Sequence, residues 1–225
     1  MNIIKTLYNN YIFERIFHTT AYSLKKELKS CESVLDLGCG PDSPIQHCNN
    51  LKYTVGIEAY KPYLKTSKRK KIHNKYINKN LSDLKFTENS FDAVIMIEVL
   101  EHLPKETGKL IIKNAGKWAK KKVIITTPNG FIKQEEIDGN PLQKHLSGWT
   151  VSDMNKLGFK SKGLAGFKFL RQEKDENTMG DNILVSIKYK PKIFWFIIAT
   201  LSQTFIYYIP NLAFELFCVK NKNEK

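Results

Sequence analysis

From Ser33 onward, short apolar runs in this chain are separated by longer stretches whose apolar positions recur every three or four residues. The short runs predict strands over 33–37, 53–57, 75–77, 91–97 and 122–127, with weaker ones over 167–171 and 182–189. The longer stretches predict helices over 43–50, 60–69, 104–119 and 150–157. Strand and helix in alternation argue for an α/β fold, a parallel sheet with helices on both faces. Residues 1–30 read as a helical segment, with Ile4, Leu7, Tyr8, Tyr11, Ile12 and Phe13 at mixed helical spacing. Such a segment either packs on the domain or covers a pocket.

The C-terminal pattern is different. Ile193 to Leu201 is apolar, Phe205 to Ile209 continues the run to Pro210, and Leu212 to Val219 follows with the single charge Glu215. Lys188, Lys190 and Lys192 precede it, and Lys220 and Lys222 follow. A span needs about 20 apolar residues, whereas Ser202, Gln203 and Thr204 interrupt this one and Pro210 would end or kink a helix. Aromatic residues with lysine borders suit a membrane interface. Residues 191–225 are therefore expected to be an apolar helical tail whose 193–219 part lies on an anionic membrane surface as two short helices. A helical hairpin packed on the domain or in a dimer contact, and a true span, are the alternatives. The expected organisation is a helical segment over 1–30, a main domain over 31–190 and the tail over 191–225.

The chemistry begins at Val34-Leu35-Asp36-Leu37-Gly38-Cys39-Gly40, an apolar strand that ends in an acid and a glycine turn. Glycines allow a tight turn and close approach of a ligand to the backbone. A second acid, Glu58, ends the next apolar stretch about 20 residues later, the nucleotide-binding arrangement of a doubly wound sheet. The third glycine of a dinucleotide loop is absent, because Pro41 and Asp42 follow Gly40.

With an acid directly before the turn, this segment resembles the first motif of class I S-adenosylmethionine-dependent methyltransferases. Phe91-Asp92 opening the fourth strand, Asn80-Leu-Ser-Asp83 after the third, and Thr126-Thr-Pro-Asn129-Gly130 at the end of the fifth match the same family in order. The resemblance covers roughly 30–190. It implies a Rossmann-like, seven-stranded, mostly parallel sheet ending in a hairpin with one antiparallel strand. It also implies S-adenosylmethionine as cofactor, whose sulfonium and ammonium suit acids near the turn. Asp36 would contact the methionine part or order the turn, and Gly38 and Gly40 would give backbone access. Glu58 would accept from the ribose hydroxyls. Asp83 would sit against the adenine, or serve only as a turn cap.

Glu98-Val-Leu-Glu101-His102 places two carboxylates and an imidazole at i, i+3 and i+4, one face of a helical turn. They would lie at the carboxyl end of the fourth strand, where open α/β sheets bind ligands. His145 follows, four residues before Trp149-Thr150. This combination resembles the small-RNA 3′-terminal 2′-O-methyltransferases and, in its first part, the quinone-biosynthesis O-methyltransferases. In the former, two Glu and two His bind a divalent ion, which would make Glu98, Glu101, His102 and His145 ligands of Mg²⁺, Mn²⁺ or Co²⁺. A hydroxyl is a poor nucleophile near neutral pH, and a divalent ion lowers its pKa and orients it. Without a metal, Glu101 and His102 would be catalytic, His102 as general base, with Glu98 shaping the pocket wall. A structural reading makes Thr150 and Asp153 a capping box.

Composition adds bounds. The chain has 225 residues, 42% of them hydrophobic, enough for one main domain with an appendage. Its net charge of +14 suggests nucleic acid or anionic lipid as a partner, or only a lysine-rich codon bias. Cys31, Cys39, Cys48 and Cys218 form no Cys-x-x-Cys pair, which argues against a zinc site. Nothing resembles a cleavable signal peptide, so a cytoplasmic location at the inner face of the membrane is expected. The reading is an S-adenosylmethionine-dependent O-methyltransferase acting on a small or lipid-linked acceptor such as a quinone, glycolipid or polysaccharide precursor. An RNA 3′-end enzyme and a catalytically silent scaffold docked on membranes are the alternatives.

Overall fold

The computed structural model describes residues 11–172 and 186–222. The strands are β1 Ser33–Leu37, β2 Tyr53–Ile57, β3 Lys75–Ile77, β4 Phe91–Ile97, β5 Ala119–Pro128, β6 Lys160–Phe167 and β7 Ala213–Asn221. The helices are α1 Tyr11–Phe17, α2 Thr20–Glu27, α3 Lys61–Lys70, α4 Lys105–Trp118, α5 Val151–Lys156 and α6 Lys192–Ile206. One seven-stranded sheet has the order β3-β2-β1-β4-β5-β7-β6. Its first five strands are parallel, and β7 runs antiparallel to both β5 and β6.

The central strands are apolar almost throughout because both faces are covered. Alternate residues feed separate cores. Leu35, Leu37, Val94 and Met96 pack on one side with Ile111, Ala115 and Trp118 of α4. Val34, Ala93, Ile95 and Ile124 pack on the other with Leu24 of α2 and Leu28. The Asp92 carboxylate ties the start of β1 to β4, accepting from the backbone N–H of Glu32 at 2.8 Å and of Ser33 at 3.3 Å. Strand order reverses between β1 and β4, so a crevice opens outside their carboxyl ends.

The first five strands fall where the apolar runs predict them; the differences lie elsewhere. The stretch expected to form a helix over 43–50 holds a single 3-10 turn, Pro44–His47, with Pro44 fixing the first backbone angle. The strand expected over 167–171 is displaced: β6 ends at Phe167, and Lys168–Leu170 form a 3-10 turn. Residues 182–185 of the expected last strand lie outside the described residues, as do 1–10, and Ile187 makes an isolated antiparallel bridge to Arg171.

The largest correction concerns the C-terminal region. The antiparallel strand is β7, between β5 and β6, with Leu216, Phe217 and Cys218 buried. The apolar run after Pro210 is thus a sheet strand covered on both faces, and the second of the two expected membrane helices does not form. The main domain accordingly extends past 190 to the end of β7. A short apolar run carries no periodicity that separates a doubly buried strand from a buried helix. No helix among the described residues is long and apolar enough to cross a membrane.

Candidate functional site

The crevice is a cavity of about 690 Å³, within the range of small-molecule sites. Asp36, Gly38, Gly40, Glu58, Glu98, Glu101, His102 and His145 all line it. Gly38 and Gly40 turn the chain with φ of +72° and +56°, a region that side chains other than glycine enter at a cost. A Cβ on Gly38 would lie 2.7 Å from Cγ2 of Val99, whereas one on Gly40 would meet no protein atom within 4 Å. The Gly40 backbone is therefore open to a ligand. Its N–H donates to Glu58 Oε2 at 3.0 Å, and the Tyr60 N–H donates to Glu58 Oε1 at 2.7 Å. Each carboxylate oxygen keeps a further lone pair for a hydroxyl donor. Burial pushes the Glu58 carboxyl above its ordinary range, although these backbone N–H bonds oppose the shift.

Asp36 is buried at the end of β1, and its Oδ2 accepts from Ser43 Oγ at 2.6 Å. The same oxygen lies 2.9 Å from Nε2 of His73, a buried imidazole that the sequence reading did not single out. As the imidazole donates there, Asp36 orders the glycine turn through Ser43 and is itself held from the β2–β3 connection. These contacts, with Val99, Leu103, Leu81 and Ser82 on the wall, fit an adenosyl cofactor. Asp83 is not brought to this wall. It sits exposed in the 3-10 turn Leu81–Asp83, where its Oδ1 accepts from Ser82 Oγ at 3.3 Å, and Asn80, Leu81 and Ser82 face the cavity instead.

Glu101, His102 and His145 converge, with one potential ligand atom from each within 4.8 Å of the others. The His102 and His145 rings meet edge to face, centroids 4.9 Å apart. His145 Nδ1 faces the Ile132 carbonyl at 2.6 Å and His102 Nδ1 faces the Lys144 carbonyl at 3.3 Å, so each Nδ1–H donates to backbone and leaves Nε2 as the acceptor. Thr127 Oγ1 donates to Glu101 Oε2 at 3.0 Å. Burial holds the Glu101 carboxyl well above the usual range, and the Glu98 charge pushes it the same way. Burial holds His102 down to about 4, with His145 adding to the shift.

Glu98 does not join this group. The segment is not a continuous helical turn: Glu98 has φ of +54°, and only Leu100–His102 form a 3-10 turn. The left-handed backbone turns Glu98 towards β5, where its Oε1 accepts from Thr126 Oγ1 at 2.8 Å. Glu98 also lines a neighbouring cavity of about 490 Å³, together with Glu14, Thr20, Arg171, Gln203 and Glu215. The two cavities share Asp42, Pro44, Ile97 and Glu98.

The loop after β5 closes over the first cavity. Leu146 and Ser147 donate from their backbone N–H groups to the Glu101 carbonyl at 2.7 and 3.0 Å. Tyr63 Oη donates to Asp138 Oδ2 at 3.0 Å and Tyr60 Oη to the Gly139 carbonyl at 3.3 Å, clasping the start of α3 to the loop. No motif marks these tyrosines; Tyr60 lies only two residues after Glu58, its one sequence signal. Asn129 of the Thr-Pro-Asn step is buried, and its Nδ2 faces the carbonyls of Pro210, Asn211 and Ala213, so it anchors the start of β7. Thr150 and Asp153 form the capping box of α5.

Residues 35–125 match the Methyltransferase domain family. An uncharacterized protein of Methanocaldococcus jannaschii is 34% identical over 165 residues, 71% of this chain and 68% of that protein. The fold is similar to the methyltransferase domain of bacterial CtHen1-CN, with a TM-score of 0.55 at 16% identity over 92% of this chain and 99% of that one. It is also similar to an Archaeoglobus fulgidus SAM-dependent methyltransferase, with a TM-score of 0.51 at 17% identity over 94% and 100%. The plantazolicin methyltransferase BpumL, in complex with SAH, gives a TM-score of 0.54 at 13% identity over 99% and 89%.

Proposed function

Because this chain belongs to the class I S-adenosylmethionine-dependent methyltransferases, we propose that it methylates a hydroxyl of a small or lipid-linked acceptor beside a divalent ion held by Glu101, His102 and His145. The observation that carries this reading is the convergence of those side chains within 4.8 Å on the wall of the cofactor cavity. S-adenosylmethionine supplies an electrophilic methyl group, and a divalent ion supplies a Lewis acid that makes a bound hydroxyl easier to deprotonate.

The chain's own residues do the rest. Glu58 orients the ribose through the oxygens that Gly40 and Tyr60 already hold in place. Asp36 fixes the turn through Ser43. The carbonyls of Ile132 and Lys144 keep both Nε2 atoms in the ligand tautomer, and Thr127 orients Glu101. The low pKa of His102 keeps its ring neutral near pH 7, the form that binds a metal. Mixed imidazole and carboxylate ligands suit Mn²⁺ or Co²⁺ better than Mg²⁺. Glu98 acts from outside this set, through Thr126 and the neighbouring cavity.

Calorimetric titration of MnCl₂ into the chelator-treated protein tests the proposal. One site per chain is expected, lost in His102→Ala and His145→Ala and retained in Glu98→Gln. Equal binding in wild type and both histidine variants would overturn it.

A further inference from the structure

Helix α6 is apolar on both its sides, and the inner one also carries a polar attachment to the sheet. Its sheet-facing side carries Ser202 and Gln203 beside Phe196, Ala199 and Ile206, all buried. Gln203 Oε1 accepts from the Gly166 N–H at 2.7 Å, its Nε2 donates to the Gly163 carbonyl at 3.0 Å, and Ser202 Oγ accepts from the Phe167 N–H at 3.3 Å. The approach to β6 is close: a Cβ on Gly163 would lie 2.2 Å from the Ile206 carbonyl oxygen, and one on Gly166 2.3 Å from that of Ala199. The polar residues that interrupt the apolar run in sequence are therefore its attachment to the sheet.

The outward side is apolar. Ile193, Phe194, Ile197, Leu201 and Phe205 recur at helical spacing, and Tyr208 continues the stripe beyond the helix end. Ile193 is 64% exposed and Phe205 71%. A helix packed on a water-soluble domain turns a polar side outward, and a continuous exposed apolar stripe marks an interaction surface. At the N-terminal end of the stripe stand Lys188, Lys190 and Lys192 with Tyr189 and Trp195, whose rings are 5.3 Å apart. No Asp or Glu occurs between Ile187 and Phe214.

We propose that α6 docks this protein on an anionic lipid leaflet, lying in the plane of the interface with its Ile193–Phe205 face among the acyl chains and Lys188, Lys190 and Lys192 on the headgroups. At 1.5 Å per residue the helix is about 22 Å long, too short for a hydrocarbon core of about 30 Å, and its inner side is committed to β6. Tyr and Trp beside lysines are the side chains that favour the water–lipid boundary. Charge chooses lipid over a second copy of the chain. A second copy, itself carrying +14, offers this helix no acid between Ile187 and Phe214 to pair with the lysines, whereas an anionic leaflet offers both an apolar interior and the opposite charge. Docking needs no turnover and stands apart from the catalytic proposal.

Flotation of the full chain with vesicles of mixed phosphatidylglycerol and phosphatidylcholine, and with phosphatidylcholine alone, tests this. Binding is expected to the mixed vesicles and to be weaker on the neutral ones. Ile197→Glu with Leu201→Glu should reduce it to background while the thermal midpoint and S-adenosylhomocysteine affinity stay unchanged. Replacing the three lysines by Gln should lower partitioning on the order of a hundredfold. If the double variant unfolds, Leu201→Ser is read instead, with an expected loss of about tenfold. Absence of wild-type binding would overturn the proposal, as would undiminished binding in a folded stripe variant. So would a solution dimer that the stripe variant converts to monomer without any vesicle binding in the wild type.

Discussion

Alanine at Gly38 and alanine at Gly40 should fail in different ways. Both residues hold left-handed backbone, at φ of +72° and +56°. A side chain in that region costs about 1–2 kcal/mol, and alanine recovers about 0.4–1 kcal/mol by stiffening the unfolded chain. Gly40→Ala should therefore destabilise the fold by about 1 kcal/mol, since no protein atom lies within 4 Å of the new methyl. For a chain of this size that lowers the thermal midpoint by about 2–4 °C. Gly38→Ala carries the same strain and drives its methyl to 2.7 Å from Val99 Cγ2. Overpacking of this kind adds about 1–3 kcal/mol.

Cofactor binding should rank the two variants in the opposite way. The Gly40 methyl would stand in open space at a residue that lines the cavity, so affinity should fall roughly ten- to hundredfold in a protein that is still well folded. Scanning calorimetry without ligand gives the stability, and isothermal titration with S-adenosylhomocysteine gives the affinity. Wild-type affinity in Gly40→Ala would refute the placement of the cofactor along this turn. A Gly38→Ala midpoint no lower than that of Gly40→Ala would refute the packing argument.

Other consequences can be measured separately. Glu58→Ala should weaken cofactor binding by on the order of 2 kcal/mol through loss of charge-assisted hydrogen bonds, read in the same titration; an unchanged affinity would place the ribose elsewhere. Asn129→Ala removes the donor that holds the start of β7 and should destabilise the protein by about 2 kcal/mol with little change in cofactor affinity; an unaltered urea midpoint would contradict that anchoring role. His102 has a folded-state pKa of about 4 against an ordinary 6.5, so the fold favours the neutral ring. Its contribution is complete above pH 6.5 and is lost as pH falls through the interval to about 4, by up to roughly 3 kcal/mol. The difference in urea stability between chelator-treated wild type and His102→Gln should narrow across that interval, and a constant difference would refute it.

The parallel half of the sheet was legible because strands covered on both faces leave uninterrupted apolar runs, and because Asp36, Gly38, Gly40 and Glu58 are spaced by the fold itself. Glu101 and His102 were legible as neighbours in one turn, and His145 through the family resemblance. Glu98 misled because i, i+3, i+4 spacing presumes helical backbone, whereas Glu98 is left-handed and turns to Thr126. The Asp36–His73 pair could not be read, since the partners are 37 residues apart and the β2–β3 connection carries no motif. After residue 190, hydropathy alone merged a strand with a helix. Ser202 and Gln203 looked like breaks because their inward direction depends on the bare backbone of Gly163 and Gly166, forty residues upstream in the case of the Gln203–Gly163 contact.

Methyl transfer to a hydroxyl is expected to depend on Glu101, His102 and His145. The most direct test incubates the protein and methyl-labelled S-adenosylmethionine with cell extract fractionated into lipid, glycan, small-molecule and RNA pools, with and without EDTA. Label is expected in the lipid or small-molecule pool as a methyl ether. That label should be lost with EDTA, restored by Mn²⁺, and absent in the Glu101→Ala, His102→Ala double variant that still binds S-adenosylhomocysteine. Label in the RNA pool, label on nitrogen, or full transfer by the double variant would contradict it.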